Sequence, residues 1–502
     1  MPVKPNTARS KSASKTFESI NPATGEVVGV FPVFNKAEVD QVVGLANSVS
    51  EKWADLGFRG RYLVLRDWAS LLTREMDSAA NLIHRETGKP LSDARLEVAL
   101  AIEHIAWAGK YAPKVLGRQN RPSGLLMFNM ASQVQRVPFG VVGVIGPWNY
   151  PIFTPIGSIA YSLAAGNTVV FKPSEYTPAI GAFLEECWNR IAPFKGIFAT
   201  ITGTPETGVA LTESAVGKIS FTGSTRTAKK VAAICAERMI PVVLECGGKD
   251  AVLVDRDADI KKAAEMTLWH AMSNAGQSCI GAERVYVHRA IADRFKMEIV
   301  TMAREIKPGF GEGANYGPAT MPAQLKVIKA HIEDAAKRGG KFLLGDKNSI
   351  KDGFVEPVIL ADVPEDSLAV TEETFGPTLV INTVSNMDEA VDLANSTPYG
   401  LGAAVWSKRN GKKIASLLKC GMVSVNSAFS FAAIGSLPFG GVKDSGYGRI
   451  HGAEGLLEFT YPRTVVRRRI RIPLEFTTFN RSERADRILI RLIRILHKRR
   501  IR

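Results

Sequence analysis

Apolar residues recur at three- and four-residue intervals from Lys36 to Leu56, from Arg59 to Gly88 and from Leu91 to Lys110. That is the spacing of helices that bury one face. Ahead of them, Asn21 to Val30 reads as a turn flanked by short strands, and Leu125 to Ile145, rich in β-forming residues with Gly140 and Gly143, predicts strands or a hairpin. From Val141 the pattern changes. Short apolar runs at Val141–Ile145, Thr168–Lys172, Gly196–Ile201, Lys218–Phe221 and Val242–Glu245, each bounded by glycine or proline, alternate with helical stretches. Such runs suit strands covered on both faces, and the alternation predicts a parallel, doubly wound sheet. A second α/β unit follows from about Lys249 to Gly448, with no low-complexity linker between the two.

A chain of 502 residues has room for two or three domains and a large core. Five cysteines, an odd number with no C-x-x-C pair, argue against a disulfide framework and for a reducing, cytoplasmic setting. The histidines are scattered without an H-E-x-x-H or a Cys/His cluster, so no metal site is expected. Residues 1–17 are polar and basic with no apolar h-region, which predicts a disordered arm rather than a secretory signal.

The net charge of +15 changes meaning once it is located. Tyr461 to Arg502 holds fourteen Lys and Arg against Glu475, Glu483 and Asp486, so the basicity belongs to a tail. Within it Arg467 to Ile472 alternates like an edge strand, and Asn480-Arg481-Ser482-Glu483 resembles a capping box that opens a helix over 480–502. Ala485, Ile488, Leu489, Leu492, Ile493, Ile495 and Leu496 share a wide apolar arc of that helix, and Arg484, Arg487, Arg491, Arg494 and Lys498 a basic one. The arginines forbid a membrane-spanning helix. A helix lying on an anionic membrane surface fits, each basic residue there being worth roughly 1 kcal/mol. Packing against a neighbouring subunit is the alternative. Nucleic acid is not expected, because no aromatics interleave with the charges.

Chemistry concentrates elsewhere. In Ser273-Asn274-Ala275-Gly276-Gln277-Ser278-Cys279-Ile280 a thiol stands among small and polar neighbours after the helix-like run Ile260 to Met272. A lone cysteine is usually a small buried hydrophobe. This one has instead the surroundings of a nucleophile on a bend. Glu245 in Leu244-Glu245-Cys246-Gly247-Gly248-Lys249-Asp250 can act as its base or activate water, with two glycines allowing close approach. Phe221-Thr222-Gly223-Ser224 closes a strand and opens a helix, as a phosphate site requires, and Ile201 to Gly208 supplies a second turn with Gly203 and Gly208. Neither is a G-x-G-x-x-G or a P-loop.

Glu-x-Gly-Gly-Lys at Glu245 followed by Gly-Gln-Ser-Cys at Cys279 resembles the NAD(P)-dependent aldehyde dehydrogenase superfamily, and the similarity runs from Asn21 to about Tyr461. It implies an α/β fold with a doubly wound cofactor domain (18–115 and 137–247), an α/β catalytic domain (248–450) and an oligomerisation ribbon of strands (116–136 and 455–472), assembled as a homodimer or homotetramer. The resemblance makes Cys279 the nucleophile, Glu245 the base and Asn149, on the rigid turn Pro147-Trp148-Asn149-Tyr150-Pro151, the oxyanion donor. It puts NAD, with NADP tolerated, against Trp148, Lys172, Ser174, Glu175, Gly203, Gly208, Phe221, Thr222, Gly223, Ser224, Gly247, Glu373 and Phe375. Ala228 stands where a glycine is common, and Glu175 favours NAD over NADP. Lys249 is expected in a structural ion pair, with Asn426 and Pro438 to Gly446 shaping the substrate entrance. The second glutamate that some members carry is not found in Phe459-Thr460-Tyr461-Pro462.

The implied reaction oxidises an aliphatic, lipid-derived aldehyde to its acid. A semialdehyde substrate is the alternative, as is a non-enzymatic membrane scaffold on the same fold. A cysteine hydrolase pairing Cys279 with His270 would need no nucleotide loops, and a CoA-acylating relative would not need Glu245.

Overall fold

The computed structural model describes residues 15–472 and 478–497. Most of the arm expected over 1–17, and the end of the helix expected to reach Arg502, lie outside the described residues. The first strand, Thr16–Ile20, already overlaps the arm and pairs antiparallel with Val27–Pro32 around the Asn21 turn.

The chain divides into two units. In the first, running to Val115 and again from Pro138 to Tyr461, four helices follow the opening strands: Lys36–Asp55, Gly57–Arg74, Met76–Thr87 and Leu91–Leu116. Asn35 and Glu38 close a reciprocal capping box on the first. The single helix expected over Arg59 to Gly88 is two, separated at Glu75, whose backbone leaves the helical region. Periodicity cannot register a one-residue break that keeps both apolar faces inward. Met76–Thr87 ends at Gly88 in the left-handed region (φ 73°), where a side chain would collide with Pro318.

Five parallel strands follow in the spatial order Phe198–Thr200, Thr168–Lys172, Val141–Ile145, Lys218–Thr222 and Val242–Glu245, with Gly446–Tyr447 added antiparallel at the far edge. The order reverses at Val141–Ile145, the switch point of a doubly wound sheet, where ligands bind at the strands' carboxyl ends. Nearly every residue of these strands is buried, because helices cover both faces.

The second sheet runs Lys341–Leu344, Val358–Ala361, Thr378–Val384, Ala282–His288, Asp250–Val254, Gly402–Trp406 and Met422–Val425. All its neighbours are parallel except the first pair. Val252, Val285, Ile359 and Ile381 pack there beneath the helices Ile260–Met272 and Ala292–Ala303.

The second unit holds a three-stranded sheet in the order Thr460–Arg468, Met130–Pro138, Gln119–Arg121. Of the strands or hairpin expected over Leu125 to Ile145, the strands form and the hairpin does not: Leu125–Met127 is a short 3₁₀ turn, and Met130–Pro138 and Val141–Ile145 enter different sheets. The late strand is shorter than 455–472, since Gly452–Glu458 is helical. Glu483–His497 forms the amphipathic helix. Its cap is Ser482, which accepts from Ala485 N, so Glu483 opens the helix instead of completing a capping box. Ile490, Ile493, Ile495 and Leu496 stand exposed, as do Arg484, Arg487, Arg491 and Arg494.

Candidate active site

Carboxyl ends of the first sheet's strands carry Asn149, Thr222 and Glu245. The loops entering the second sheet carry Gly247–Gly248, Cys279 and Glu373–Phe375. The site forms where these two sets of loops meet.

Cys279 owes its position to an unusual turn. After Ile260–Met272, Asn274 and Ala275 take left-handed backbones (φ 53° and 57°), and Gly276 follows at 67°. A Cβ on Gly276 would sit 2.1 Å from the carbonyl oxygen of Gly376, so its bare backbone lets the cysteine loop lie against the Glu373 loop. Two non-glycine residues in that region cost about 1–3 kcal/mol each, and side-chain bonds offset the strain. Asn274 donates to Gln277 O (3.2 Å) and Asn149 O (3.0 Å), while Gln277 Nε2 donates to Asn274 O (2.9 Å) and Pro318 O (3.2 Å). Asn274 and Gln277 belong to no motif of their own, and two amides flanking Gly276 are the mark the sequence carries of the turn they brace.

The thiol stands at the junction of two cavities that share Cys279 and Thr154. One, about 230 Å³, is lined by Trp148, Thr222, Ser224, Glu245, Glu373 and Phe375 among others. The other, about 330 Å³, is walled chiefly by Leu96, Leu100, Phe153, Met266, Trp269 and Phe429.

Glu245 is buried, and neither carboxylate oxygen has a hydrogen-bond partner among the described residues. Burial pushes its pKa up to about 8; the neighbouring Cys279 thiol pulls it down and the charge of Asp250 raises it. Burial, then the charge of Glu245, drives the Cys279 pKa well above its ordinary value. The two groups act on each other, and burial, the largest cause for both, makes the resting pair keep its protons.

Asn149 Nδ2 donates to Gln277 O (2.9 Å), and the second amide hydrogen remains for a ligand. His270 takes no comparable position. Its Nε2–H donates to Ile280 O (2.6 Å), and burial lowers its pKa to about 4, which keeps the ring neutral. The groups acting on the thiol are carboxylates, not this histidine.

On the polar side, Gly223 N donates to Glu245 O (3.1 Å), tying the Thr222–Ser224 turn to the glutamate. Ser224 caps Thr225–Glu237 by accepting from Thr227 N, and the first turn of that helix has no acidic residue to oppose an anion. Phe221 packs over Gly223, and Ala228 is buried inside the helix, where alanine costs nothing. Glu373 accepts from Gly248 N (2.9 Å) and leaves no room for a side chain on Gly247; burial lifts its pKa to about 8. The edge of Phe375 meets the Trp148 ring at 5.5 Å.

Lys172, Ser174, Glu175, Gly203 and Gly208 form a neighbouring cluster outside that cavity lining. Lys172 pairs with Glu175 at 3.4 Å, Ser174 Oγ accepts from Tyr176 N, and Gly208 leaves space beside the Lys172 stem. Gly203 is held under Thr207. Unpartnered Glu245 oxygens and an uncontested helix N-terminus on a cavity of about 230 Å³ together fit a dinucleotide.

Lys249 makes the expected structural pair, with Glu283, which also accepts from Thr374 N (2.8 Å) and Phe375 N (2.9 Å). In the sequence Glu283 is marked only as a charge near the start of an apolar strand. The late signature reaches the glutamate's strand. Gly446–Tyr447 pairs with Glu245 and Leu244, Ser445 O accepts from Cys246 N, and Ser445 Oγ donates to Gly247 O (2.7 Å), so it holds the glutamate's strand in place. Asn426 closes a turn on Ser407 and does not line either cavity. Glu458, just ahead of Phe459-Thr460-Tyr461-Pro462, pairs with Lys218.

Comparison with known proteins agrees over most of the chain. Residues 9–465 match the aldehyde dehydrogenase family. A 4,4'-diapolycopene aldehyde oxidase from a Methylomonas species is 34% identical over 92% of this chain and 87% of its own. A glutarate-semialdehyde dehydrogenase from Pseudomonas putida is 34% identical over 89% and 94%. Among solved structures, an aldehyde dehydrogenase from Brucella melitensis superposes with a TM-score of 0.87 at 31% identity, covering 91% of this chain and 95% of that one. An NAD⁺ complex of the Bacillus cereus enzyme gives 0.86 at 30%, covering 90% and 93%. The chain belongs to the aldehyde dehydrogenase family and is an oxidoreductase that oxidises aldehydes with NAD(P).

Proposed function

We propose that the substrate is an apolar, uncharged aldehyde, oxidised with NAD by Cys279, Glu245 and Asn149. The Cys279 thiol and the Glu245 carboxyl would release their resting protons to solvent when the positively charged cofactor binds beside them. The sulfur then adds to the carbonyl carbon, and the oxyanion so formed is held by the Asn149 amide and the Cys279 backbone N–H. The nicotinamide supplies the hydride acceptor. Loss of hydride from the carbon re-forms the C=O bond as a thioester on Cys279. Glu245 then takes a proton from water as the water attacks the thioester, the sulfur leaves, and the carboxylic acid is released. Glu373 and the Thr222–Ser224 turn orient the dinucleotide. A carboxylate at Glu175 favours ribose hydroxyls over a 2′-phosphate, hence NAD over NADP.

The observation that carries the substrate class is the larger cavity. Its wall is apolar, and Lys89, the one cation lining it among the described residues, is neutralised by Glu97 at 2.7 Å. Asp93 is left to repel a carboxylate. The relative named for diapolycopene aldehyde favours this reading; those named for semialdehydes supply the competing one. The exposed Ile493, Ile495 and Leu496 of the apolar arc and the exposed arginines of Glu483–His497 support a place on an anionic membrane surface, at the cytoplasmic face. No helix among the described residues is long and apolar enough to cross a membrane.

NADH formation is measured with short-, medium- and long-chain aldehydes and with carboxylated ones, with and without anionic vesicles. Preference for long chains, enhanced by vesicles, is the expected result. Better turnover of carboxylated aldehydes, indifferent to vesicles, would replace this reading with the semialdehyde one.

A further inference from the structure

Two buried side chains grip the turn that carries Asn149 from both ends. Lys89, just past Gly88 and the end of Met76–Thr87, directs its ammonium at Glu97 Oε2 and at the main-chain oxygen of Asn149, both at 2.7 Å. Glu97, on the helix Leu91–Leu116, uses its other oxygen to accept from Ile152 N (3.0 Å) and Phe153 N (3.3 Å), the amides that open the helix Phe153–Ala165. Lys89 thus holds the turn at Asn149, Glu97 holds it three residues on, and the two are joined to each other. Both side chains are 1% exposed.

The strut is itself anchored. His84 Nδ1–H donates to Lys89 O (2.6 Å), and the Lys89 ammonium rests over the Tyr150 ring at 4.3 Å. A buried ion pair is a poor source of net stability, because desolving two charges offsets their attraction. Its geometry, however, is fixed on all sides. An oxyanion donor needs that quality, since preorganised donors act only when held at the place where charge develops.

We infer that Lys89 and Glu97 are positioning residues for the reaction, forming a charged strut that fixes the Asn149 amide against the oxyanion. The inference rests on the oxyanion role proposed for Asn149.

The test is a mutant cycle read as the single-turnover rate of NADH appearance. Either single change, Lys89→Met or Glu97→Gln, would leave the other charge unpaired in the interior, which threatens folding, so Lys89→Met/Glu97→Gln, which buries no charge, is the primary variant. It keeps an oxygen for the Ile152 and Phe153 amides. Glu97→Gln alone is measured alongside. Asn149→Ala should slow the rate about 100-fold. Glu97→Gln should slow it about tenfold and the paired variant more, with the Kd for NAD unchanged. Added to Asn149→Ala, either change should cost less than about twofold, because the donor they position is gone.

Equal slowing in both backgrounds would assign the pair to general stability and overturn the inference, as would no slowing by either variant. An Asn149→Ala enzyme that transfers hydride at the normal rate would instead remove the oxyanion role itself, which separates the two failures.

Discussion

The two cavities that meet at Cys279 are built on opposite principles. On the nucleotide side, loss of solvent pushes the carboxyls of buried Glu245 and half-buried Glu373 each up to about 8, with the Asp250 charge a smaller contribution at Glu245. All are poised to lose protons once positive charge is placed among them. On the other side the charges cancel in the Lys89–Glu97 pair and the wall is largely aliphatic and aromatic. Reactivity is therefore set from one side of the sulfur and selectivity from the other. A change on the polar side should alter rates and pH dependence for every aldehyde. A change on the apolar side should alter the ranking of aldehydes and leave the pH dependence alone.

The largest effects should divide the polar side between its two steps. Cys279→Ala should lower turnover by more than about 1,000-fold with any aldehyde. Glu245→Gln should spare one turnover, giving a burst of about one NADH per site. Steady-state turnover should then fall about 100- to 10,000-fold as the thioester waits for water. Mass spectrometry of the quenched protein should show the acyl group on Cys279. A Glu245→Gln protein with no burst would mean that the glutamate also takes the thiol proton, merging the two steps.

The two sides were also unequally legible in the sequence. Glu245, Cys279, Thr222–Ser224 and Glu373 lie in short runs at strand ends, where a backbone turn and a functional side chain occur together, and family resemblance reached each of them. The five parallel strands were equally visible, because burial on both faces leaves no polar position to confuse the period. The apolar wall had no such mark. Leu96, Phe153, Met266, Trp269 and Phe429 come from separate segments, and each reads as an ordinary core residue until tertiary packing leaves a gap between them. The same holds for Lys89 and Glu97, eight residues apart on different helices or their ends, whose shared target is 60 residues away. The break at Glu75 and the parting of Met130–Pro138 from Val141–Ile145 were hidden because local pattern carries no information about which partner a strand finds.

A smaller effect should appear as stability against pH. Glu245 titrates near its ordinary value of 4.5 when unfolded and at about 8 when folded. Between those values the folded state binds more protons than the unfolded one, so this group makes stability fall as pH rises, with the loss complete only above about 8. Glu245→Gln removes that dependence. The nucleotide-free variant should melt several degrees above wild type at pH 8 and converge with it at pH 5, and Glu373→Gln should behave alike. Melting curves at the two pH values decide it. A constant difference would show that these carboxyls ionise in the folded protein as freely as in water, and the contrast between the cavities would lose its electrostatic half.

The finest test falls on the apolar side, where Asp93 is the lining charge outside the Lys89–Glu97 pair among the described residues. Burial raises its pKa, the Lys89 charge lowers it and the Glu97 charge raises it. Its carboxylate repels an incoming anion through a partly screened field, so the effect should be modest. Asp93→Asn should raise kcat/KM for a carboxylated aldehyde by about three- to tenfold and leave an uncharged aldehyde of equal length within about twofold. The gain should shrink as salt is added. The single-turnover burst with uncharged substrate and its pH profile should not move, because Asp93 is absent from the charges that act on Cys279 and Glu245. If both substrates gained equally, Asp93 would be restricting access by bulk, and selection on that side would rest on shape alone.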